Sequence, residues 1–161
     1  MVTPATTDPG GSTSILVLLL FLVLSFAAAA TGYFFPPGEW YVELNQPAFA
    51  PPNWVFGPVW TVLYVMIGVA GWLVWRNAGW RSPAIALWGA QMALNALWTP
   101  LFFGINWMGV AAIEMMLLWV AIVACIHVFR NVSPAAAWLM VSYLAWVSFA
   151  LVLNLGFWWL N

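Results

Sequence analysis

Long stretches of this sequence contain no charged residue. The 161-residue chain has only three Lys or Arg and four Asp or Glu, and apolar runs of roughly the 20 residues that a membrane-spanning helix needs recur along it. Water-soluble domains carry about 25% charged residues, whereas this chain has 4% and is 66% hydrophobic. A water-soluble fold is therefore excluded. A transmembrane barrel would show alternating segments of about 10 residues, so the sequence predicts membrane-spanning helices.

The same composition excludes several functions. A net charge of -1 without a basic cluster leaves nothing to neutralise phosphates, so we expect no nucleic-acid partner. The single cysteine, Cys125, allows neither an internal disulfide nor a thiolate metal cage. No nucleophile–base pair, phosphate-binding loop or metal-ligand spacing occurs, so neither a metal site nor a cofactor is predicted and hydrolytic catalysis has no support.

The apolar runs and the turns between them predict an all-α membrane protein with a five-transmembrane-helix bundle. Residues 1–13 are expected to be a disordered tail, followed by one domain at 14–161. A cleaved secretory signal is the alternative for the first run, but no basic residue precedes it. The predicted spans are 14–35, 54–76, 83–103, 107–129 and 134–159. The Pro-rich loop at 36–53 is predicted to cover the bundle, with one short helix near residues 39–44.

The few basic residues suggest an orientation. Arg76, Arg81 and Arg130 all lie on the side of the N-terminus if there are five spans. The positive-inside rule then places the N-terminus in the cytoplasm and the loop at 36–53 on the opposite side.

The 14 tryptophans fall into two groups by depth. Those near span ends are typical of an aromatic belt at the lipid headgroups: Trp40, Trp54, Trp72, Trp75, Trp80, Trp107, Trp138, Trp158 and Trp159. Those further inside are Trp60, Trp88, Trp98, Trp119 and Trp146. An indole N–H in hydrocarbon requires an acceptor, so we expect the second group to find partners inside the bundle.

Three spans carry polar and aromatic residues at helical spacing, which predicts faces that point inward. On the third span these are Gln91, Asn95, Trp98, Thr99 and Phe102. On the fifth they are Tyr143, Trp146, Ala150 and Asn154. On the second they are Gly57, Trp60, Thr61, Tyr64, Gly68 and Gly71.

Two interpretations of these faces remain open. In the first, the amides form interhelical hydrogen bonds and the glycines permit close packing of helices. In the second, these residues form a ligand site. For Asn154, Gly68 and Gly71 the two interpretations are equally favoured. For the cluster of Trp60, Asn95 and Trp146 a pocket is favoured, because indoles beside a few amides suit a broad, planar, apolar ligand. Glu114, the ionisable residue deep in a span, either has a function or is a neutral carboxyl bonded to a neighbouring helix.

Three segments in order resemble a known family. They read WYVELNQPAFAPPNWVFGPVWTVLY at 40–64, QMALNALWTPLFFG at 91–104 and SYLAWVSFALVLN at 142–154. They are similar to the tryptophan-rich sensory protein/translocator protein family, also called TspO/MBR or the peripheral benzodiazepine receptor family, over about residues 33–161. The resemblance implies a five-helix bundle, commonly a homodimer, with a pocket beneath the loop between helices one and two.

The resemblance also implies ligands and site residues. Family members bind protoporphyrin IX and other tetrapyrroles, cholesterol and benzodiazepine-type compounds, and some bacterial members promote light-dependent porphyrin breakdown. Carried over by motif, the pocket positions are Tyr41, Pro51, Trp60, Asn95, Trp98, Trp146 and Ala150. Trp60 and Trp146 would take part in porphyrin chemistry. Tyr64, Gln91 and Tyr143 join the predicted ligand-binding set from the inward-facing stripes.

Some positions depart from the family pattern. The loop reads QPAFAPP, where the family often has a basic residue before the first Pro and a Trp in place of Phe49. Ser142 replaces a usual Pro. The animal-type cholesterol motif needs a Tyr followed by Lys or Arg, and residues 155–161 contain neither, which disfavours cholesterol.

Three functions are compatible with these features. The favoured one is a membrane receptor or sensor that binds porphyrins and regulates tetrapyrrole levels or a stress response. The second, an enzyme-like photo-oxidative degradation of porphyrin, rests on the resemblance alone. The third is transport of porphyrin or sterol-type ligands, but the sequence shows neither an inverted repeat nor a chain of ionisable groups through the spans.

Overall fold

The structure, a computed structural model, describes residues 11–161, and these residues contain helices and connections but no β-strand. The α-helices are α1 (Gly11–Ala29), α2 (Thr31–Phe34), α3 (Glu39–Glu43), α4 (Phe56–Ala78), α5 (Pro83–Thr99), α6 (Met108–Val132) and α7 (Pro134–Leu160). A 3₁₀ turn at Asn53–Val55 precedes α4, and a π-helical turn at Pro100–Gly104 follows α5.

Four segments of the described chain are long and apolar enough to cross a membrane. They are Gly11–Phe34, Asn53–Ala78, Met108–Val132 and Pro134–Leu160. The remaining long helix, α5, has 17 residues and continues into the five-residue π turn. The prediction of an all-helical chain is confirmed within residues 11–161, whereas the count of five spans stays a prediction.

Helix ends differ from the predicted bounds where local chemistry changes them. Most of the predicted tail lies outside the described residues, but α1 already begins at Gly11. Helix α6 runs through Arg130 to Val132, so the predicted turn shrinks to Ser133 alone. The Ser133 hydroxyl accepts a hydrogen bond from the Ala136 N–H at 3.3 Å, and Pro134 occupies the first helical position, where its missing N–H leaves no bond unmade.

Consecutive long helices pack side by side: α4 on α1, α6 on α5 and α7 on α6, with α7 also against α4. Helix α1 approaches α4 closely at Gly68, where an added Cβ would lie 3.2 Å from the backbone nitrogen and Cα of Leu22. Small residues that let backbones approach are typical of membrane helix pairs. Close packing is therefore the role of Gly68 in this structure.

The tryptophans behave largely as their depth predicts. Six near helix ends are more than half exposed, namely Trp54, Trp80, Trp107, Trp138, Trp158 and Trp159. The buried Trp88 donates its indole N–H to the Ile67 carbonyl at 3.0 Å. Trp119, placed among the deep group, is 36% exposed and donates to the Ser148 hydroxyl at 2.8 Å. Trp88, Trp98 and Trp119 of the deep group thus find acceptors on neighbouring helices. The expectation fails for Trp146, whose buried indole N–H has no partner within residues 11–161.

The π-helical turn after α5 follows from Pro100. Proline has no N–H, and its ring collides with the carbonyl four residues earlier. The backbone widens here, so that the Ile105 N–H bonds the Pro100 carbonyl and the Trp107 N–H bonds the Leu101 carbonyl, both at 3.0 Å. Such turns often occur at functional sites. Here the turn contributes Phe102 and Phe103 to the wall of a cavity.

Candidate ligand-binding site

A cavity of about 490 Å³ lies inside the bundle, on the side of the connection between α2 and α4. Side chains or glycines from each of the seven helices line it. Its volume is within the roughly 300–1,000 Å³ typical of sites for small molecules, and most of its lining is apolar, as in such sites.

Flat aromatic rings form much of the cavity wall. On α4, the Trp60 and Tyr64 rings stack with centroids 5.3 Å apart and planes 27° from parallel. On α5 and the π turn, Trp98 stacks on Phe102 at 4.9 Å and 24°. All four side chains line the cavity. Broad ring faces of this kind favour a planar partner, because offset stacking is a preferred aromatic arrangement.

A buried amide connects three helices at the cavity wall. The Tyr64 hydroxyl on α4 donates to the Asn95 Oδ1 on α5 at 3.0 Å. The Asn95 Nδ2 donates to the Tyr143 hydroxyl on α7 at 2.8 Å. Asn95 and Tyr64 line the cavity, whereas Tyr143 is fully buried behind them. The predicted amide stripe on α5 therefore both bonds helices together and faces the cavity.

A second amide has the same double role. The Trp98 indole N–H donates to the Asn154 Oδ1 at 3.0 Å, and the Asn154 Nδ2 donates to the Met108 carbonyl at 2.9 Å. Asn154 thus joins α5, α6 and α7, and it also lines the cavity. The two interpretations left open for Asn154 are compatible, since one amide serves packing and presents polar atoms to the cavity.

The connection between α2 and α4, residues 35–55, lies over one end of the cavity and includes α3. We call this connection the cover. The Tyr41 ring lines the cavity. It packs against the rings of Phe103 and Phe157, with centroids 5.3 Å and 5.5 Å away. Burial raises the pKa of the Tyr41 hydroxyl above its usual value, because the charged phenolate is disfavoured away from water. The Tyr41 hydroxyl therefore stays neutral near pH 7 and able to donate a hydrogen bond.

Hydrogen bonds hold this cover to the end of α7. The Asn45 backbone N–H donates to the Asn161 Oδ1 at 2.9 Å, and the Asn161 Nδ2 donates to the Asn45 carbonyl at 3.1 Å. Pro47 packs so closely on Gly156 that an added Cβ would lie 2.8 Å from the Pro47 Cγ. We name the Asn45–Asn161 pair the clasp.

Replacing Asn161 by alanine is expected to loosen the cover without unfolding the bundle. Both clasp bonds to the Asn45 backbone would be lost, and each is worth about 1 kcal/mol. Amide hydrogen exchange at Asn45 should accelerate about tenfold, measured by mass spectrometry in detergent micelles. Gln46→Ala, at the exposed neighbouring position, is the control. Equal exchange in wild type and Asn161→Ala would show that the clasp does not hold the cover.

Six of the ten predicted ligand-binding residues line the cavity: Tyr41, Trp60, Tyr64, Asn95, Trp98 and Ala150. They come from α3, α4, α5 and α7. The helical spacing and the motif resemblance thus identified residues that the fold brings to one cavity. Their contact with a ligand stays a prediction.

The other four predicted residues, Pro51, Gln91, Tyr143 and Trp146, do not line the cavity. Gln91 and Tyr143 are fully buried, so they lie among packed side chains. The Trp146 ring packs against Phe56 and Phe149, with ring centroids 5.9 Å and 5.4 Å apart. Phe56 itself lines the cavity, whereas the Trp146 indole lies outside the lining, and its N–H has no hydrogen-bond partner within the described residues. Pro51 belongs to the connection before the 3₁₀ turn. From the same part of the chain, Pro37 after α2 and Asn53 in the 3₁₀ turn line the cavity instead.

Several lining residues were missed because their helices are apolar on all sides. Met115 and Leu118 of α6 and Ala29 of α1 line the cavity, but nothing distinguishes them from the residues beside them that face lipid. Phe157 on α7 follows Ala150 by seven residues, which places both on one helical face. Extending the predicted stripe by one heptad could have found Phe157.

Glu114 is buried on α6 but forms no hydrogen bond within the described residues. The predicted bond from a neutral Glu114 carboxyl to a neighbouring helix is therefore not present between side chains or backbone of residues 11–161. Glu114 does not line the cavity either, although its neighbour Met115 does.

Comparisons with known proteins identify the family of this chain. The TspO/MBR family model matches residues 15–160. The chain belongs to the TspO/MBR family. It is 34% identical to the protein CrtK of Rhodobacter capsulatus, over 92% of this chain and 94% of that protein. It is 39% identical to the tryptophan-rich sensory protein of Cereibacter sphaeroides, over 86% and 87%, and 41% identical to the human translocator protein, over 74% and 73%.

Membership of the TspO/MBR family confirms the resemblance and, with the apolar helices, an integral membrane protein. The matched range covers the whole described bundle except the first residues of α1 and the last residue, Asn161. All cavity-lining residues named above lie inside it. The clasp joins Asn45, within the matched range, to Asn161, just beyond it.

Proposed function

We propose that this membrane protein is a receptor that binds porphyrins such as protoporphyrin IX, or similar planar apolar molecules, in the cavity, and thereby regulates tetrapyrrole levels or a stress response. The observation that carries the proposal is the cavity itself, with stacked rings on two sides and few polar groups. Pockets for small molecules are usually apolar, with a few polar groups that fix orientation.

The distribution of polar groups suits a porphyrin of this type. Protoporphyrin IX is a flat, mostly apolar ring with two carboxylates on one edge. Polar side chains at the cover are Tyr41 and Asn53, and Thr99 lies at the same end of α5. Trp60 and Trp98 supply faces for the ring. The carboxylate edge would then point toward the cover and the apolar ring into the bundle.

The bundle would sit in the membrane with five spans. Helix α5 with its π turn has 22 residues, 17 and five, which at about 1.5 Å per residue is enough to cross roughly 30 Å of hydrocarbon. Arg76 and Arg130 occupy the last turns of α4 and α6, and Arg81 follows α4, all at the end away from α3. The positive-inside rule then places that end in the cytoplasm and the cover on the opposite side.

A titration with protoporphyrin IX in the dark tests the proposal. Purified protein in lipid nanodiscs would be titrated while the porphyrin absorption band is followed. Saturable binding is expected, and Trp60→Leu should weaken the affinity about tenfold, the equivalent of about 1.4 kcal/mol, because the leucine offers no flat face to the ring. Trp138→Leu, at an exposed position of α7, should leave the affinity unchanged.

Non-saturable uptake, or equal affinity in the Trp60→Leu and wild-type proteins, would contradict the proposal. Illumination of the complex then separates the receptor from the degrading enzyme, because only degradation consumes the porphyrin. Flux of porphyrin between two vesicle populations would instead favour transport, in keeping with the word translocator in several relatives' names.

A further inference from the structure

Three side chains carry buried polar atoms without a partner within the described residues: Gln91, Glu114 and, through its indole N–H, Trp146 on α7. Gln91 on α5 is fully buried, and neither its Oε1 nor its Nε2 forms a hydrogen bond. Glu114 on α6 is 5% exposed, and both of its carboxyl oxygens are equally unpaired. The large majority of buried side-chain polar atoms in proteins have a partner, either protein or ordered water. Neither Gln91 nor Glu114 lines the cavity, so the proposed ligand does not supply their partners.

Helical spacing places Glu114 on the side of α6 that faces α5. The buried face of α6 has two edges. Glu114 lies at one, and Trp119, whose indole N–H bonds Ser148 on α7, lies at the other. At about 100° per residue, Glu114 is roughly 140° around the helix from Trp119. Because α6 packs on α5 and α7, the edge away from α7 belongs to α5.

Gln91 lies on the side of α5 that faces α6. The other side of the buried face carries Trp88, which contacts Phe21 on α1 and bonds Ile67 on α4. Gln91 instead shares a face with Trp98, seven residues later. Trp98 bonds Asn154 on α7, and the same Asn154 amide donates to the Met108 carbonyl at the start of α6. Gln91 therefore points toward the contact between α5 and α6.

Ideal helix geometry also places the two side chains at similar depths. Trp98 and Met108 are level with each other, since both bond Asn154. Gln91 precedes Trp98 by seven residues and Glu114 follows Met108 by six, and α5 and α6 run in opposite directions. At about 1.5 Å per residue, Gln91 is roughly 10 Å and Glu114 roughly 9 Å below that level.

We propose that Gln91 and Glu114 form an internal water site between α5 and α6, separate from the ligand cavity. A buried water requires two to four polar partners. The Gln91 amide supplies a donor and an acceptor, and the Glu114 carboxyl supplies two oxygens. With a neutral Glu114 carboxyl, one water can serve all four atoms: it donates to the Gln91 Oε1 and the carboxyl C=O, and it accepts from the Gln91 Nε2 and the carboxyl O–H. This site ties α5 to α6 one helical turn from Asn95, the amide that bonds Tyr64 and Tyr143 at the cavity wall.

A double-mutant cycle with Gln91→Met and Glu114→Met tests this water site. Methionine has a similar length but no hydrogen-bonding atom that could replace the amide or carboxyl. Each single variant should lower the thermal midpoint in micelles, because the water and the remaining side chain lose a partner. The double variant should lose less than the sum of the two, by about 2–4 °C. Gln91→Met combined with Trp119→Phe, on the other side of α6, should be additive.

Additive losses, or single variants as stable as wild type, would overturn the proposal, because two dry and independent groups would behave that way. A crystal structure of the Glu114→Gln variant provides the second measurement. Water density within hydrogen-bonding distance of Gln91 and residue 114 is expected, since glutamine keeps polar atoms there. A direct bond between the two side chains, or density that changes with the metal cation in the buffer, would also overturn it.

Discussion

Replacing Gly71 by alanine should lower the free energy of unfolding by about 2–3 kcal/mol, the upper range for overpacking in a core. An added Cβ would lie 2.7 Å from the Phe21 Cδ1 on α1 and 2.7 Å from the Trp88 Nε1 on α5. The expected fall in thermal midpoint is about 4–12 °C, measured by circular dichroism in micelles. One added methyl group at Gly71 on α4 would therefore clash with both α1 and α5.

The effect is large because neither ring can move away cheaply. The Trp88 indole is fixed by its bond to the Ile67 carbonyl at 3.0 Å. Phe21 is 1% exposed and meets Trp88 edge to face, with ring centroids 4.8 Å apart. A shift of either ring would break this bond or this contact, and the alternative is a displacement of α1 from α4.

Gly89→Ala provides the matched control. Gly89 lies in the interior of α5, and an added Cβ there would meet nothing within 4 Å. Since alanine has a helix propensity about 0.8–1.0 kcal/mol better than glycine, the midpoint should rise by about 2–4 °C. Equal responses of Gly71→Ala and Gly89→Ala would show that the contact of α1, α4 and α5 is not tightly packed.

Helix positions were predictable because hydrocarbon leaves the chain few alternatives. Every backbone N–H must be bonded within the segment, so apolar runs bounded by polar or Pro-containing turns mark helices to within a few residues. The break of the first predicted span at Ala30, between α1 and α2, was not predictable. It lies in a run of small apolar residues, AAAATG, whose composition is compatible with either a continuous or an interrupted helix.

The cavity was predictable only where its helices carry polar residues. Asn95, Trp98 and Tyr64 were found because amides and phenols at helical spacing stand out against leucine and valine. The same signal selected Gln91 and Tyr143, which are fully buried and do not line the cavity. Spacing identifies the inward face of a helix, but it does not say whether that face meets an open cavity or another side chain. This depends on how the neighbouring helices fill the interior.

Replacing Asn95 by leucine should also lower the free energy of unfolding by about 2–3 kcal/mol. The Tyr64 hydroxyl would lose its acceptor and the Tyr143 hydroxyl its donor. Interhelical bonds in membranes average about 0.6 kcal/mol and reach about 1.7, but a hydroxyl left unpaired adds about 1–3 kcal/mol. Because Tyr143 is fully buried, no solvent can replace the lost partner. The measurement is again the thermal midpoint in micelles.

The origin of that loss can be tested by removing the partners as well. With Tyr64→Phe and Tyr143→Phe already present, Asn95→Leu leaves no unpaired hydroxyl, and replacing all partners of a hydrogen bond by apolar groups can be nearly neutral. The leucine substitution should therefore lower the midpoint much less in this background than in wild type. Equal losses in both backgrounds would mean that Asn95 stabilises the bundle through its shape, and that the bonds joining α4, α5 and α7 contribute little.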